Sequence, residues 1–303
     1  MIGKLLLLVI IFFTGSILLV AQPIKIATYQ YADNNRIQNI QPFAEHIKKK
    51  YGLETIVKSY PTVHAFISSI QKGEVDIALI NTFGYLILET SDKKYPMKPV
   101  LTLNVKEDAR DNYKTAFITA SNSPVKGMAD IKKISNQIRL VLVAEGSTSG
   151  NLVPRLALSG SGIINPEKEF ASLQYAGNHS LAIEKILNNQ ADLACMGYTE
   201  YEKAINDSSK KSKIKLIWLS PEIPLGPVLI HEKIDSSGKA IIEKAFFDLH
   251  IENAAAIESI KAGWSEAKQA NYYIKITDSY YNSFRNTFGK KKDMQRILRQ
   301  FAN

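Results

Sequence analysis

Cysteine occurs once in 303 residues. A single thiol, Cys195, excludes an intramolecular disulfide and any metal site built on paired thiolates, and its apolar neighbours over 191–196 mark it as a core residue. The five histidines, at positions 46, 64, 179, 231 and 250, are scattered, so none pairs with another at ligand spacing, and no H-E-x-x-H run is present. The nucleophile elbow G-x-S-x-G is missing, as are the phosphate loop of nucleotide hydrolases and the dinucleotide fingerprint. The chain is therefore expected to bind and not to transform, with no cofactor and no metal. Composition also excludes collagen-like, coiled-coil and disordered classes, since 45% of residues are apolar and 9% aromatic.

What is present begins with a targeting signal. Lys4 precedes a 16-residue apolar run over 5–20, and Ala21 is a small residue at a plausible cleavage point, so residues 1–21 read as a signal peptide and the mature chain as periplasmic. An uncleaved segment would make it a membrane anchor. Lys4 is the only charged side chain in that stretch, so removal takes the net charge from +9 to +8. A basic balance suits an anionic ligand, and export argues against nucleic acid. Most of the positive residues are dispersed and read as a solvated surface.

The remaining length suggests two α/β lobes with a cleft between them. Alternation predicts a strand over 24–28, helical spacing predicts a helix over 37–51 ending at Gly52, and a second strand, helix and strand follow over 54–57, 63–72 and 75–80. This βαβ order predicts a parallel sheet. Beyond residue 122 the pattern restarts, with strands near 139–144, 172–175, 192–196 and 215–218. Crossings between lobes are expected near 119–122 and 225–228, which gives a first lobe over 22–119, a second over 120–224, and a return segment over 225–303 whose tail reads as tyrosine-rich helices.

One stretch organises this reading. Ser147-Thr148-Ser149-Gly150-Asn151 lies between a strand and a helix that carries Pro154 in its first turn. Hydroxyls and unpaired N–H groups at a helix start, where the dipole is positive, form a cradle for an anion, although an ordinary Ser/Thr cap has the same local chemistry.

Several stretches together resemble the phosphonate, phosphite and phosphate binding proteins of ABC importers. They are residues 67–85 (ISSIQKGEVDIALINTFGY), 113–117 (YKTAF), 146–158 (GSTSGNLVPRLAL), 177–192 (GNHSLAIEKILNNQAD) and Leu225-Gly226-Pro227-Val228. The resemblance implies a two-lobe type II periplasmic binding protein fold, a phosphorus oxyanion in the cleft and an ABC permease as partner, with the chain a monomer. It places the anion on Ser147, Thr148 and Ser149, a further donor on His179, and tyrosines of the first lobe at Tyr60, Tyr113 and Tyr85. Glu200 falls where a residue reading the ligand's substituent would lie, or serves as a solvated acid at a helix start. The rim Asn81-Thr82-Phe83-Gly84-Tyr85 departs from the family's usual Gly-Pro.

Three other readings remain open on the residues. Iron-binding relatives of this fold use tyrosine oxygens, and the chain has Tyr272-Tyr273 and Tyr280-Tyr281. On a helix, one tyrosine of each pair is expected to pack and the other to face water. A tethered sensor presenting its closed form to a receptor, and an enzyme of the same fold, are the others.

Overall fold

The computed structural model describes residues 22–106, 109, 113–287 and 291–301, so the signal segment expected over 1–21 lies outside it. In the first lobe, β1 (Ile24–Tyr29), β2 (Thr55–Tyr60) and β3 (Ile77–Leu79) are joined by helices Ile37–Tyr51 and Val63–Gln71. β1 pairs in parallel with β2 and with β3, so the expected βαβ unit forms. The first helix presents Ile40, Phe43 and Ile47 to the sheet and stops at Gly52, whose φ of 68° closes the C-terminal turn.

β4 (Met97–Val105) follows helix Thr82–Thr90. The chain then enters a second sheet made of β5 (Thr115–Ala120), β6 (Arg139–Leu142), β7 (Ser172–Tyr175), β8 (Leu193–Gly197) and β9 (Ile214–Leu219), in the order β7-β6-β8-β5-β9. It returns through β10 (Pro227–His231) and β11 (Ala270–Lys275), completing a first sheet of order β11-β4-β10-β3-β1-β2. Gly226 makes this re-entry possible, because a Cβ there would lie 1.9 Å from the Ile80 carbonyl oxygen.

Three expectations are corrected. The sheets are mixed, since β10 runs antiparallel to β3 and β4, and β5 antiparallel to β8 and β9. β5 belongs to the second sheet, so the first passage between sheets precedes Thr115 instead of falling at 119–122. The tail is not all helical, because Ala270–Lys275 pairs with β4, where its tyrosines and isoleucine suit a pleated edge.

The two lobes share apolar packing. Val63, Phe83 and Leu86 of the first lobe meet Leu152, Val153 and Leu156 of the second, together with Ile297 and Leu298 of the C-terminal helix Lys291–Arg299. That packing fixes where the two walls of the cleft stand.

Candidate functional site

Ser147 caps the segment after β6. Its Oγ accepts a hydrogen bond from Gly150 N at 3.0 Å, and the helix opens as a wide π-type turn, Thr148–Leu152, before Val153–Gly160 takes α geometry. Two glycines allow this. A Cβ on Gly150 would lie 2.3 Å from Val143 Cγ2, and one on Gly146 would lie 2.3 Å from Val63 Cγ1 of the first lobe. Asn151 braces the turn, with Nδ2 donating to the Glu145 carbonyl at 2.7 Å and Oδ1 accepting from Arg155 Nε at 2.7 Å. The buried Arg155 is neutralised by Glu167.

The helix Thr82–Thr90 starts against this turn. Phe83 N donates to Thr148 Oγ1 at 3.1 Å, and Asn81 caps its own helix through Gly84 N while its Nδ2 donates to the Gly146 carbonyl at 2.8 Å. Two positive helix ends therefore converge. Tyr113 lies beside the side chains of Ser149 and Thr148, and burial, reinforced by the nearby Glu266 charge, holds its pKa above the usual range, which keeps it a neutral donor.

His179 opens helix His179–Leu187 behind the Asn178 cap. Gly197 N donates to its Nδ1 at 2.9 Å, which leaves the ring proton on Nε2. Burial, with Lys203 adding to it, lowers its pKa to about 4, so the imidazole is neutral near pH 7.

These groups line one side of a cavity of about 540 Å³ between the lobes. The opposite side is aromatic and charged. Arg36, with φ 61°, is almost fully buried; its Nε donates to the Gly263 carbonyl at 2.7 Å and its Nη1 to the Tyr29 carbonyl at 3.3 Å. The guanidinium lies 4.7 Å from the Tyr29 ring and 4.4 Å from the Trp264 ring. Beside it stands Glu266, brought to the cavity by the turn before β11.

Of the residues singled out in the sequence, Ser147, Thr148, His179 and Tyr113 line the cavity, and Ser149 lies buried beneath it, within reach of Tyr113. Three others stand elsewhere. Tyr60 stacks on Phe66 at 5.5 Å, as part of the lobe's own packing. Tyr85 sits one turn into its helix, fully buried, and donates to Asp278 Oδ1 at 2.6 Å. Glu200 pairs with Lys203 at 3.2 Å in a shallow groove outside the cleft. The tyrosine pairs divide as expected, with Tyr273 and Tyr281 buried and Tyr272 and Tyr280 exposed, although the first pair owes this to a strand and the second to a 3-10 turn. Among the described residues, no group of three or more His, Cys, Asp or Glu side chains could hold a metal ion. Arg36 and Glu266 escaped sequence reasoning, while Asn81 figures there only as part of the rim 81–85. No motif marks the first two, and only the fold carries Arg36 and Gly263, 227 positions apart, to one wall.

The profile of the phosphonate ABC transporter periplasmic substrate-binding proteins matches residues 26–272. The phosphonates-binding periplasmic protein of Escherichia coli (strain K12) is 25% identical over 227 residues, covering 74% of this chain and 65% of that protein, slightly under two thirds of its length. Two solved structures share the fold at a TM-score of 0.67: a binding protein component of an ABC phosphonate transporter from Pseudomonas aeruginosa, 18% identical and covering 93% of this chain and 96% of that one, and PhnD1 from Prochlorococcus marinus (MIT 9301) in complex with methylphosphonate, 15% identical and covering 91% and 98%. A profile match running through both lobes and both walls of the cleft establishes that the chain belongs to the family of periplasmic substrate-binding proteins of phosphonate ABC transporters.

Proposed function

We propose that this protein captures a phosphorus oxyanion, a phosphonate, phosphite or phosphate, in the interlobe cavity and delivers it to an ABC permease. Members of its family are periplasmic substrate-binding components of importers and not enzymes. The observation that carries the reading is the cavity face formed by Ser147 and Thr148 at a helix start, with Tyr113 and His179 beside them. Every one of these donors is neutral. A tetrahedral anion there would be held by hydroxyls, the Nε2 proton of His179 and the positive ends of two helices, a set that water competes with poorly inside a cleft. The complementary parts of the reading are a chain processed after residue 21, a monomer with the lobes divided at the two passages between sheets, and closure of those lobes on the ligand before docking.

The test is calorimetric titration with phosphate, phosphite and methylphosphonate. The double substitution Thr148→Val with Ser149→Ala is expected to weaken binding by about 1–3 kcal/mol, the range for hydrogen bonds to a charged group. An unchanged dissociation constant would contradict the assignment.

A further inference from the structure

The carboxylate of Glu266 has little to do in the fold. Its side chain is partly buried and lines the cavity together with Thr148, on the turn Ser265–Ala267 ahead of β11. Among the described residues it forms no ion pair, and its one side-chain contact is a long one, Ser265 Oγ to Oε2 at 3.5 Å. The nearest cation, Arg36, is already engaged by the carbonyls of Gly263 and Tyr29 and by flanking aromatic rings. The backbone N–H of Glu266 also reaches the carboxylate, which leaves Glu266 an acceptor with capacity to spare in the cavity wall.

Glu266 lines the same cavity as Tyr113 and Thr148, and Tyr113 lies beside the Thr148 and Ser149 side chains and within the field of Glu266. The charged and titratable groups that face Glu266 are Arg36 and the tyrosines Tyr29, Tyr31 and Tyr113, and burial keeps all three phenols protonated. None of these phenols is hydrogen-bonded to the Glu266 carboxylate, which they meet only through its field. Burial correspondingly raises the pKa of Glu266 itself.

An anion seated on the donor wall shares the cavity with this acceptor. A fully ionised oxygen would be repelled, and a protonated one would donate a hydrogen bond. We propose that Glu266 is a specificity-determining residue that accepts the acid proton of a P–O–H group, so that the cleft takes phosphorus oxyanions in their singly protonated form and rejects sulfonates, whose oxygens carry no proton near neutral pH. This assignment rests on the oxyanion reading of the same cleft and deepens it: the donor wall holds a tetrahedral anion of either element, and Glu266 selects phosphorus.

The experiment compares methylphosphonate with methanesulfonate, two anions of nearly equal shape, by calorimetry on the full mature chain at pH 7. The wild type is expected to prefer methylphosphonate by about tenfold or more, the scale of one hydrogen bond to a charged group. In Glu266→Gln, whose amide can donate as well as accept, the preference is expected to shrink or reverse, while Glu266→Asp keeps its direction. Raising the pH through the second ionisation of methylphosphonate is expected to weaken its binding to the wild type. Equal wild-type affinities for the two anions, or a preference that survives Glu266→Gln, would overturn the assignment. So would a gain for aminomethylphosphonate over methylphosphonate that Glu266→Gln removes while leaving the phosphonate-to-sulfonate ratio intact, since Glu266 would then read a cationic substituent. Binding of neither anion would overturn the oxyanion reading, and this one with it; binding of both without preference would overturn this one alone.

Discussion

The hydrogen-bond donors of the second-lobe wall, Ser147, Thr148 and His179, come from two short stretches, each at the start of a helix, with Ser147 and Asn178 as the capping side chains. The first-lobe wall gathers Tyr29, Arg36 and Glu266 from opposite ends of the chain. The donors of the first kind of wall are neutral, with a geometry set locally by caps and glycines, and Glu145 lines the cavity from the same stretch. The second consists of a buried cation tied to backbone carbonyls and an acid left without a partner, both placed by tertiary packing. Anchoring an anion and discriminating between anions are therefore assigned to opposite sides of the same space, and substitutions on each side separate the two.

The largest effect is expected where the donor wall has no room to yield. In Gly150→Ala the added Cβ would lie 2.3 Å from Val143 Cγ2 and 2.9 Å from Ser147 Oγ, so the turn must shift. Overpacking of this kind costs about 1–3 kcal/mol, and it displaces the anion-holding hydroxyls as well. The expected result is a thermal midpoint lowered by several degrees together with weakened methylphosphonate binding. Gly160→Ala, at the other end of the same helix, meets nothing within 4 Å and serves as the control. Equal melting curves for the two variants would show that the turn is not held by close packing.

An intermediate effect is expected at His179, and it depends on pH. The folded-state pKa, about 4, lies below the ordinary 6.5, because burial, together with Lys203, penalises the imidazolium. The unfolded chain therefore takes up the proton first as pH falls. The stability associated with the neutral ring is complete above pH 6.5, is lost progressively as pH drops toward 4, and changes no further below that. The loss is on the order of 1–3 kcal/mol. Chemical denaturation at a series of pH values is expected to show this decline in the wild type, and a shallower one in His179→Gln. A bound oxyanion favours the imidazolium, so saturating methylphosphonate is expected to raise the His179 pKa, observable as a shift of its NMR titration midpoint.

The same contrast between walls explains what could be read from the sequence. Helix Ile37–Tyr51, the Gly52 stop and the Ser147 cap are decided within a few residues by periodicity and capping, so local pattern sufficed for them. The strand Ala270–Lys275 needs β4 as its partner, and the place of β5 in the second sheet rests on pairing with β8 and β9, neither of which a local window contains. The site divides in the same way. Ser147, Thr148, Ser149 and His179 belong to short motifs, whereas Glu266 stands in a stretch whose pattern resembles ordinary surface, and Tyr85 fits the motif but points into the core toward Asp278.

The smallest effect is expected at Glu200, and that expectation sharpens the comparison. Glu200 stands near the start of helix Tyr198–Ile205, directly after β8, where proximity to the His179 wall in sequence alone suggests a place in the cleft. Its carboxylate instead turns outward to Lys203, in an i,i+3 pair whose side chains are 26% and 57% exposed. A pair that open to water is worth at most a few tenths of a kcal/mol. Glu200→Gln is therefore expected to leave methylphosphonate affinity within about twofold of wild type, since a loss that small in contact energy changes a binding constant no further. The phosphonate-to-sulfonate preference should be equally unmoved, because the acceptor that sets it lies on the other wall. If Glu200→Gln instead erased that preference, the discriminating acid would belong to the donor side, and the division of labour between the two walls would fail.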